Sequence, residues 1–261
     1  MLDYSNEFST SRVVITGAAG IFGTWIAEAF ANAGAELLLT DARADETRAV
    51  ADRLGAQWVA ADLTNPSDIS RLVDAYTTKW EAPDVLINNA GIYPRTPLAS
   101  TEPELVRRIL DINVAAPFEL SRRAVASMTR AAVAGSIVNI SSGAALRPGV
   151  GGSIYAASKA ALETMTRSLA MEVAPQGIRV NCVQPGFAPG SDVSALSADH
   201  IEKMLNRIPL GRPSGENDAA SAVLWLCSSA AAFVTGATIA VDGGRTAGDY
   251  SASNASMGAS I

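Results

Sequence analysis

RVVITGAAGIFGTWIAEAFANAGAELLLTD, residues 12–41, is the stretch that decides the fold. Its first five residues form an apolar, β-branched run of the length of one buried strand. Gly17-Ala-Ala-Gly20-Ile21-Phe22-Gly23 follows at once, and a helix-forming segment from about Thr24 to Ala33 runs into Gly34 as its stop. Glu36–Thr40 (ELLLT) reads as a second strand and ends in Asp41, eighteen residues after Gly23. Strand, glycine turn, helix and strand in this order give a dinucleotide-binding fingerprint its meaning. Glycines let the backbone approach a pyrophosphate, and the helix start offers unpaired N–H groups at the positive end of the helix dipole. An acidic side chain closing the second strand accepts hydrogen bonds from an adenosine ribose and repels a 2′-phosphate. Asp41, with no arginine or lysine in the glycine turn, therefore predicts NAD over NADP; Arg43, two residues on, is the one nearby cation.

The alternation continues outward from this unit. A helix from about Ala44 to Leu54 stops at Gly55, and AQWVAA makes a strand that runs into Asp62-Leu63. Asn65 caps the next helix, with Pro66 at its first position and Ile69, Leu72, Val73, Tyr76 and Trp80 on its apolar stripe. A fourth strand, Asp84 to Ile87, leads into Asn88-Asn89-Ala90-Gly91. One helix is expected over about Glu102 to Arg130, and it contains Pro117. Proline has no N–H to give the carbonyl four residues back, so Asn113 is expected to carry a free carbonyl at a kink, able to hold a water. Later come a helix to about Val173, a strand IRVNCVQ before Pro185-Gly186, an amphipathic piece from Ala198 to Ile208, a helix over about Glu216 to Ser228, and a last strand within ATIAVDGG.

Residues 137–159, IVNISSGAALRPGVGGSIYAASK, carry the chemistry. Tyr155 and Lys159 are four apart and share one helix face. A free phenol, with its pKa near ~10, is a poor base at neutral pH. A nearby ammonium favours the phenolate and is expected to lower that value by roughly 1–3 units, into the range of proton transfer. Ser142, thirteen residues earlier, is placed to hold the oxygen whose proton moves.

Composition narrows the classes. With 48% hydrophobic and 18% charged residues the chain is able to bury a large core. A net charge of −6, with arginines and three lysines scattered, argues against a nucleic-acid partner. One histidine, His200, leaves no basis for a metal site or a Ser-His-Asp triad, and Cys182 and Cys227 sit in apolar segments that suggest no disulfide or metal framework. The first residues have no signal-peptide core and no apolar run reaches membrane-spanning length, so a soluble cytoplasmic protein without a membrane partner is expected.

Together these marks resemble the short-chain dehydrogenase/reductase family, in its shorter single-domain branch. The resemblance runs from Arg12 to Gly244 and rests on the glycine turn, Asp62-Leu63, Asn88-Asn89-Ala90-Gly91, Asn113, Ser142 with Tyr155 and Lys159, Pro185-Gly186, and Val241-Asp242-Gly243-Gly244. It implies an α/β fold: a doubly wound, Rossmann-type sheet of seven parallel strands in order 3-2-1-4-5-6-7, with helices on both faces. It implies that Tyr155 exchanges the hydroxyl proton, and that Lys159 tunes Tyr155 and holds the nicotinamide ribose. Ser142 then positions the substrate oxygen, and Asn113 keeps a water between Lys159 and solvent. The implied cofactor residues are Gly17, Gly20, Ile21, Phe22, Gly23, Asp41, Asp62, Leu63, Asn89, Gly91, Tyr155, Lys159, Pro185 and Gly186. Two departures stand out: Ile21 replaces the branch's middle glycine, giving the TGxxGxxG form, and Gly190 stands where the PGxxxT motif has threonine.

The expected activity is NAD-dependent oxidation of a small secondary alcohol, polyol, sugar or hydroxy-acid. The rivals are an NADP(H)-dependent 3-oxoacyl or carbonyl reductase and a catalytically idle NAD-binding sensor or scaffold. The whole chain is expected to form one domain and, by the resemblance, a homotetramer. A substrate lid is expected over about 187–212 and a flexible tail over 245–261. Pocket walls are expected at Tyr93–Thr96, Ala144–Pro148, Ile154, Phe187 and residues 188–208, with Arg95 and Arg147 read as solvated loop residues or contacts for an anionic substrate.

Overall fold

In the computed structural model, which describes residue 4 and residues 7–190 and 198–250, every strand expected from the sequence is present. The strands are β1 (Arg12–Thr16), β2 (Glu36–Asp41), β3 (Gln57–Ala60), β4 (Val85–Asn88), β5 (Ser136–Ile140), β6 (Arg179–Pro185) and β7 (Thr238–Val241). All pair in parallel, in the order β3-β2-β1-β4-β5-β6-β7. The helices are α1 (Ile21–Asn32), α2 (Ala44–Leu54), α3 (Pro66–Trp80), α4 (Pro103–Leu110), α5 (Ala116–Arg130), α6 (Ser153–Val173), α7 (Ala198–Leu205) and α8 (Glu216–Cys227). The side chains of Ala198 and His200 lie outside the described residues.

Alternation along each strand builds two cores. Val13 and Ile15 face one side with Leu37, Leu39, Ile87 and Val138, under Ile26 and Phe30 of α1 and Val223 of α8. Val14 faces the other with Leu38, Leu86 and Ile137, under Leu72 of α3, Leu120 of α5 and Leu169 of α6. A strand buried on both faces must be apolar throughout, which is why the parallel strands read as continuous runs. β1 sits between β2 and β4, so the strand order reverses beside it and a crevice opens at the carboxyl ends.

Two local expectations change. Helix α1 begins at Ile21 rather than Thr24: Gly20 is its extended N-cap (φ −80°, ψ 164°), and Ile21, Phe22 and Gly23 already belong to its first turn. The single helix over 102–130 is three pieces, α4, a π-helical turn at Asp111–Ala115, and α5. Within the turn, the Ala116 N–H donates to the Asp111 carbonyl five residues back. Pro117 follows as the second residue of α5, so the wider turn absorbs the bond that proline is unable to donate. Among the described residues, no helix is long and apolar enough to cross a membrane.

Candidate active site

The glycine turn is shaped by close backbone approach. Gly17 has φ +63°, and a Cβ there would lie 2.7 Å from the Ala90 Cα; a Cβ on Gly23 would lie 2.0 Å from the Gly17 carbonyl oxygen. Both positions press the start of α1 against the end of β1 and the loop after β4. Hydrogen bonds lock that contact. The N–H groups of Asn89 and Ala90 each donate to the Thr16 hydroxyl at 3.0 Å, and Asn89 Nδ2 donates to the carbonyls of Thr16 (3.0 Å) and Gly17 (2.9 Å). Gly20 offers no side-chain cap, and among the described residues no side chain accepts from the first N–H groups of α1, where Gly20, Ile21 and Phe22 line a cavity of about 780 Å³.

Around this end of the cavity stand Asp41, Asp62 and Leu63. The Asp41 carboxylate accepts from the Ala19 N–H (3.2 Å) and from the N–H (3.1 Å) and Nε (3.2 Å) of Arg43. It therefore ties the glycine turn to the cation that follows β2. Asp62 accepts from the Thr64 N–H at 2.9 Å and its hydroxyl at 2.8 Å. Pro185 and Gly186 close the floor, where a Cβ on Gly186 would lie 3.0 Å from the Asp242 Cα.

At the other end, Ser142, Tyr155 and Lys159 all line the same cavity. Ser142 follows β5, its hydroxyl accepting from the Ala144 N–H at 3.2 Å. Tyr155 stands in the first turn of α6, with its ring 5.9 Å from that of Tyr93. Lys159, one turn on, is 4% exposed; its Nζ donates to the Ile140 carbonyl at 2.7 Å and lies 6.0 Å from the centre of the Tyr155 ring. Burial pulls the Lys159 ammonium down to about 8. Burial also pushes the Tyr155 phenol above its ordinary value, with Ser142 opposing the rise and Tyr93 adding to it. The expected lowering of Tyr155 by Lys159 is therefore not what this arrangement shows: desolvation dominates, and the ammonium is turned to a carbonyl.

Asn113, fully buried in the π turn, brackets the site through its side chain. Its Oδ1 accepts from the Ile92 N–H (2.9 Å), while Nδ2 donates to the Ile92 carbonyl (2.9 Å) and the Ser158 hydroxyl (3.0 Å). Ser158 in turn donates to the Tyr155 carbonyl at 2.7 Å. Gly91 sits against both groups, since a Cβ there would lie 3.2 Å from Asn113 Oδ1 and 3.3 Å from Lys159 Nζ. Sequence reading centres on the Asn113 carbonyl and misses this amide bracket, because it closes only when the π turn meets the loop after β4 and α6.

Sequence reading also passes over Thr16, Ser158 and Arg245. The first two adjoin residues it does select, Gly17 and Lys159, but Arg245 follows the last motif and carries no local signal. The predicted walls are present in part: Tyr93, Pro94, Arg95, Ala144, Arg147 and Phe187 line the cavity. Ile154 does not, and falls in a separate small recess with Pro94 and Thr96; Leu146 is 60% exposed. In α6, Ile154 precedes Tyr155 and so points about a quarter turn away from it. Gly190 has φ +99°, a Cβ there would meet nothing within 4 Å among the described residues, and Ser191 lies outside them.

Comparison with known proteins fits this geometry. A family model described as enoyl-(acyl carrier protein) reductase matches residues 17–246. The chain is 37% identical to cis-4-hydroxycyclohexanecarboxylate dehydrogenase of Sinomonas cyclohexanicum over 92% of its own length and 98% of the relative's. The chain belongs to the short-chain dehydrogenase/reductase family. It is also 34% identical to the 3-oxoacyl-(acyl-carrier-protein) reductase of Escherichia coli, over 91% of this chain and 98% of that one. Among solved structures, 3-ketoacyl-(acyl-carrier-protein) reductase of Brucella melitensis in complex with NADH superposes with a TM-score of 0.83 at 32% identity, covering 91% and 98% of the two chains. As a member of this family the protein is an oxidoreductase that works with a nicotinamide cofactor. Its residues suit one: an uncapped helix start faces the cavity beside a carboxylate at the end of β2.

Proposed function

We propose that the protein oxidises a small secondary alcohol with NAD, through Ser142, Tyr155, Lys159 and Asn113. The observation that carries this reading is one continuous cavity with Asp41 beside the glycine turn at one end and the Ser142–Tyr155–Lys159 cluster at the other. The start of α1 and Gly17, Gly20, Ile21, Phe22 and Gly23 would hold the pyrophosphate, Asp41 the adenosine ribose, Asp62 and Leu63 the adenine side, and Asn89, Gly91, Pro185 and Gly186 the nicotinamide half. When bound, the nicotinamide supplies the hydride acceptor.

The protein supplies placement and proton handling. Ser142 and Tyr155 hold the substrate hydroxyl between them, and Tyr155 takes its proton as the carbinol C–H bond breaks. Lys159 would hold the nicotinamide ribose. With its own pKa pulled to about 8, it also exchanges a proton near neutral pH. The Asn113 carbonyl, which Pro117 has no N–H to reach, holds a water that passes this proton to solvent. The same reading takes residues 1–261 as one catalytic unit, with a substrate lid over 187–212, a homotetramer as the working assembly and the cytoplasm as its place.

A second reading, NADP(H)-dependent reduction of a 3-oxoacyl substrate, is favoured by the likeness to the Escherichia coli reductase. Asp41 speaks against it, because a carboxylate repels a 2′-phosphate. The deciding experiment follows NADH formation by the purified protein over a panel of secondary alcohols, polyols, sugars and hydroxy-acids. NADP and Tyr155→Phe are run alongside. Turnover with NAD that disappears in Tyr155→Phe is expected; turnover confined to NADP would overturn the choice of cofactor.

A further inference from the structure

The substrate end of the cavity is positively charged in a protein of net charge −6: Arg95, Arg108, Arg147 and Arg245 all line it. Arg245 is the best placed of the four. Among the described residues, the carboxylates that line the cavity, Asp41 and Asp62, stand at the opposite end, and the acid that acts on Arg245, Asp242, is already engaged. Its Oδ1 accepts from the Gly244 N–H (3.0 Å), and its Oδ2 from the Thr246 N–H (2.8 Å) and hydroxyl (2.6 Å). That turn fixes the backbone that carries Arg245. Arg147 fixes the next residues, donating to the carbonyls of Arg245 (3.0 Å) and Gly248 and to Asp249. The segment read from sequence as the start of a flexible tail is thus pinned onto the loop that follows Ser142. The Arg245 guanidinium lies beside Gly143, where a Cβ would sit 3.8 Å from it, and is half-buried. Among the described residues it donates no hydrogen bond. Its pKa is lowered by burial, with Asp242 opposing and Arg207, Arg147 and Arg95 adding repulsion. Clustered cations around a half-buried guanidinium that donates no hydrogen bond among the described residues are unfavourable alone and relieved by an anion.

We infer that Arg245 is a specificity residue that seats a compact oxyanion, a carboxylate or a phosphate monoester, on the alcohol whose hydroxyl lies at Ser142 and Tyr155. This deepens the proposed function and rests on it for the position of the hydroxyl. Guanidinium suits the task because its planar fork pairs with two oxygens at once.

The test uses the full-length protein and two matched pairs: cis-4-hydroxycyclohexanecarboxylate against its methyl ester, and glycerol 3-phosphate against glycerol. One anion is expected to exceed its neutral partner in kcat/KM by about 10–100-fold, mostly through KM, as a charge-assisted contact requires. Which anion does so identifies the group. The ratio collapses in Arg245→Gln and returns in part in Arg245→Lys. Calorimetry on the protein saturated with NADH adds a readout that needs no turnover. Cyclohexanecarboxylate or inorganic phosphate is expected to bind, cyclohexanecarboxamide not, and Arg245→Gln to abolish the binding. Equal turnover within both pairs, anion binding unchanged in Arg245→Gln, or no anion binding at all would overturn the inference. If no alcohol is oxidised but the anion still binds through Arg245, the alcohol dehydrogenase reading falls and the anion site stands.

Discussion

The two ends of the cavity are built in different ways. At the glycine-turn end, Thr16, Gly17, Gly20, Gly23 and Asp41 come from one strand-helix-strand unit, joined by Asp62 and Leu63 after β3 and by Asn89 and Ala90 after β4. At the substrate end, Asn113, Ser142, Tyr155 and Arg245 come from a π turn, a loop, a helix and the segment after β7. The first end depends on backbone, where a missing Cβ is the functional group. The second depends on side chains whose partners lie far away in sequence. Damage should therefore act through packing at one end and through chemistry at the other.

Tyr155→Phe should break the chemical end most severely. It removes the proton-transfer oxygen and leaves the ring, so kcat is expected to fall about 10²–10⁴-fold in an NADH-formation assay. NADH binding, followed by fluorescence, should change far less. Comparable loss of both would merge the two ends into one.

At the backbone end, Gly23→Ala forces a methyl to within 2.0 Å of the Gly17 carbonyl and should cost about 3 kcal/mol in urea unfolding. Gly20→Ala meets the same oxygen at 3.3 Å, a contact a small shift relieves, and should cost well under half as much. Equal losses would show that the turn is not set by close approach.

Lys159 links stability to chemistry through pH. Its folded pKa of about 8 lies below the ordinary lysine value of 10.5. Between those values the unfolded chain binds the proton and the folded chain does not, so stability rises with pH across the window; below pH 8 the full cost of the buried charge is present. Lys159→Met should accordingly stabilise the protein by about 2 kcal/mol at pH 7, after allowing for the partner lost to the Ile140 carbonyl. Urea melts at pH 7 and 9.5 should show the variant's advantage over wild type shrinking as pH rises, while activity is lost; the comparison cancels the opposing fall from Cys182 and Cys227, whose thiols burial pushes up to about 12.

The smallest expected effect is on cofactor choice. Asp41→Ala removes the carboxylate that would repel a 2′-phosphate at the end of β2. The NADP to NAD ratio of kcat/KM should rise by about tenfold or more. An unchanged ratio would move the determinant elsewhere.

Legibility follows the same division. The β1–α1–β2 unit, the helix stop at Gly55 and the Asn65 cap with Pro66 are expected from the residues themselves, and the seven-strand order from the family resemblance they carry. Pro117 correctly marks an irregular helix, though the form it takes, a π turn with the Asn113 amide inside it, is not legible. Arg245 reads as tail, since nothing in RTAGDY announces the turn that Asp242 and Thr246 close.

The sequence by itself determined which segments form strands and helices and where the glycine turn falls, because periodicity, capping and missing side chains act over a few residues. Only the tertiary structure decided that Tyr155 is raised rather than lowered, that Lys159 faces a carbonyl, and that Arg245 enters the cavity. Burial and electrostatic neighbours are properties of the assembled sheet and its covering helices, and the residues that supply them are separated by tens of positions along the chain.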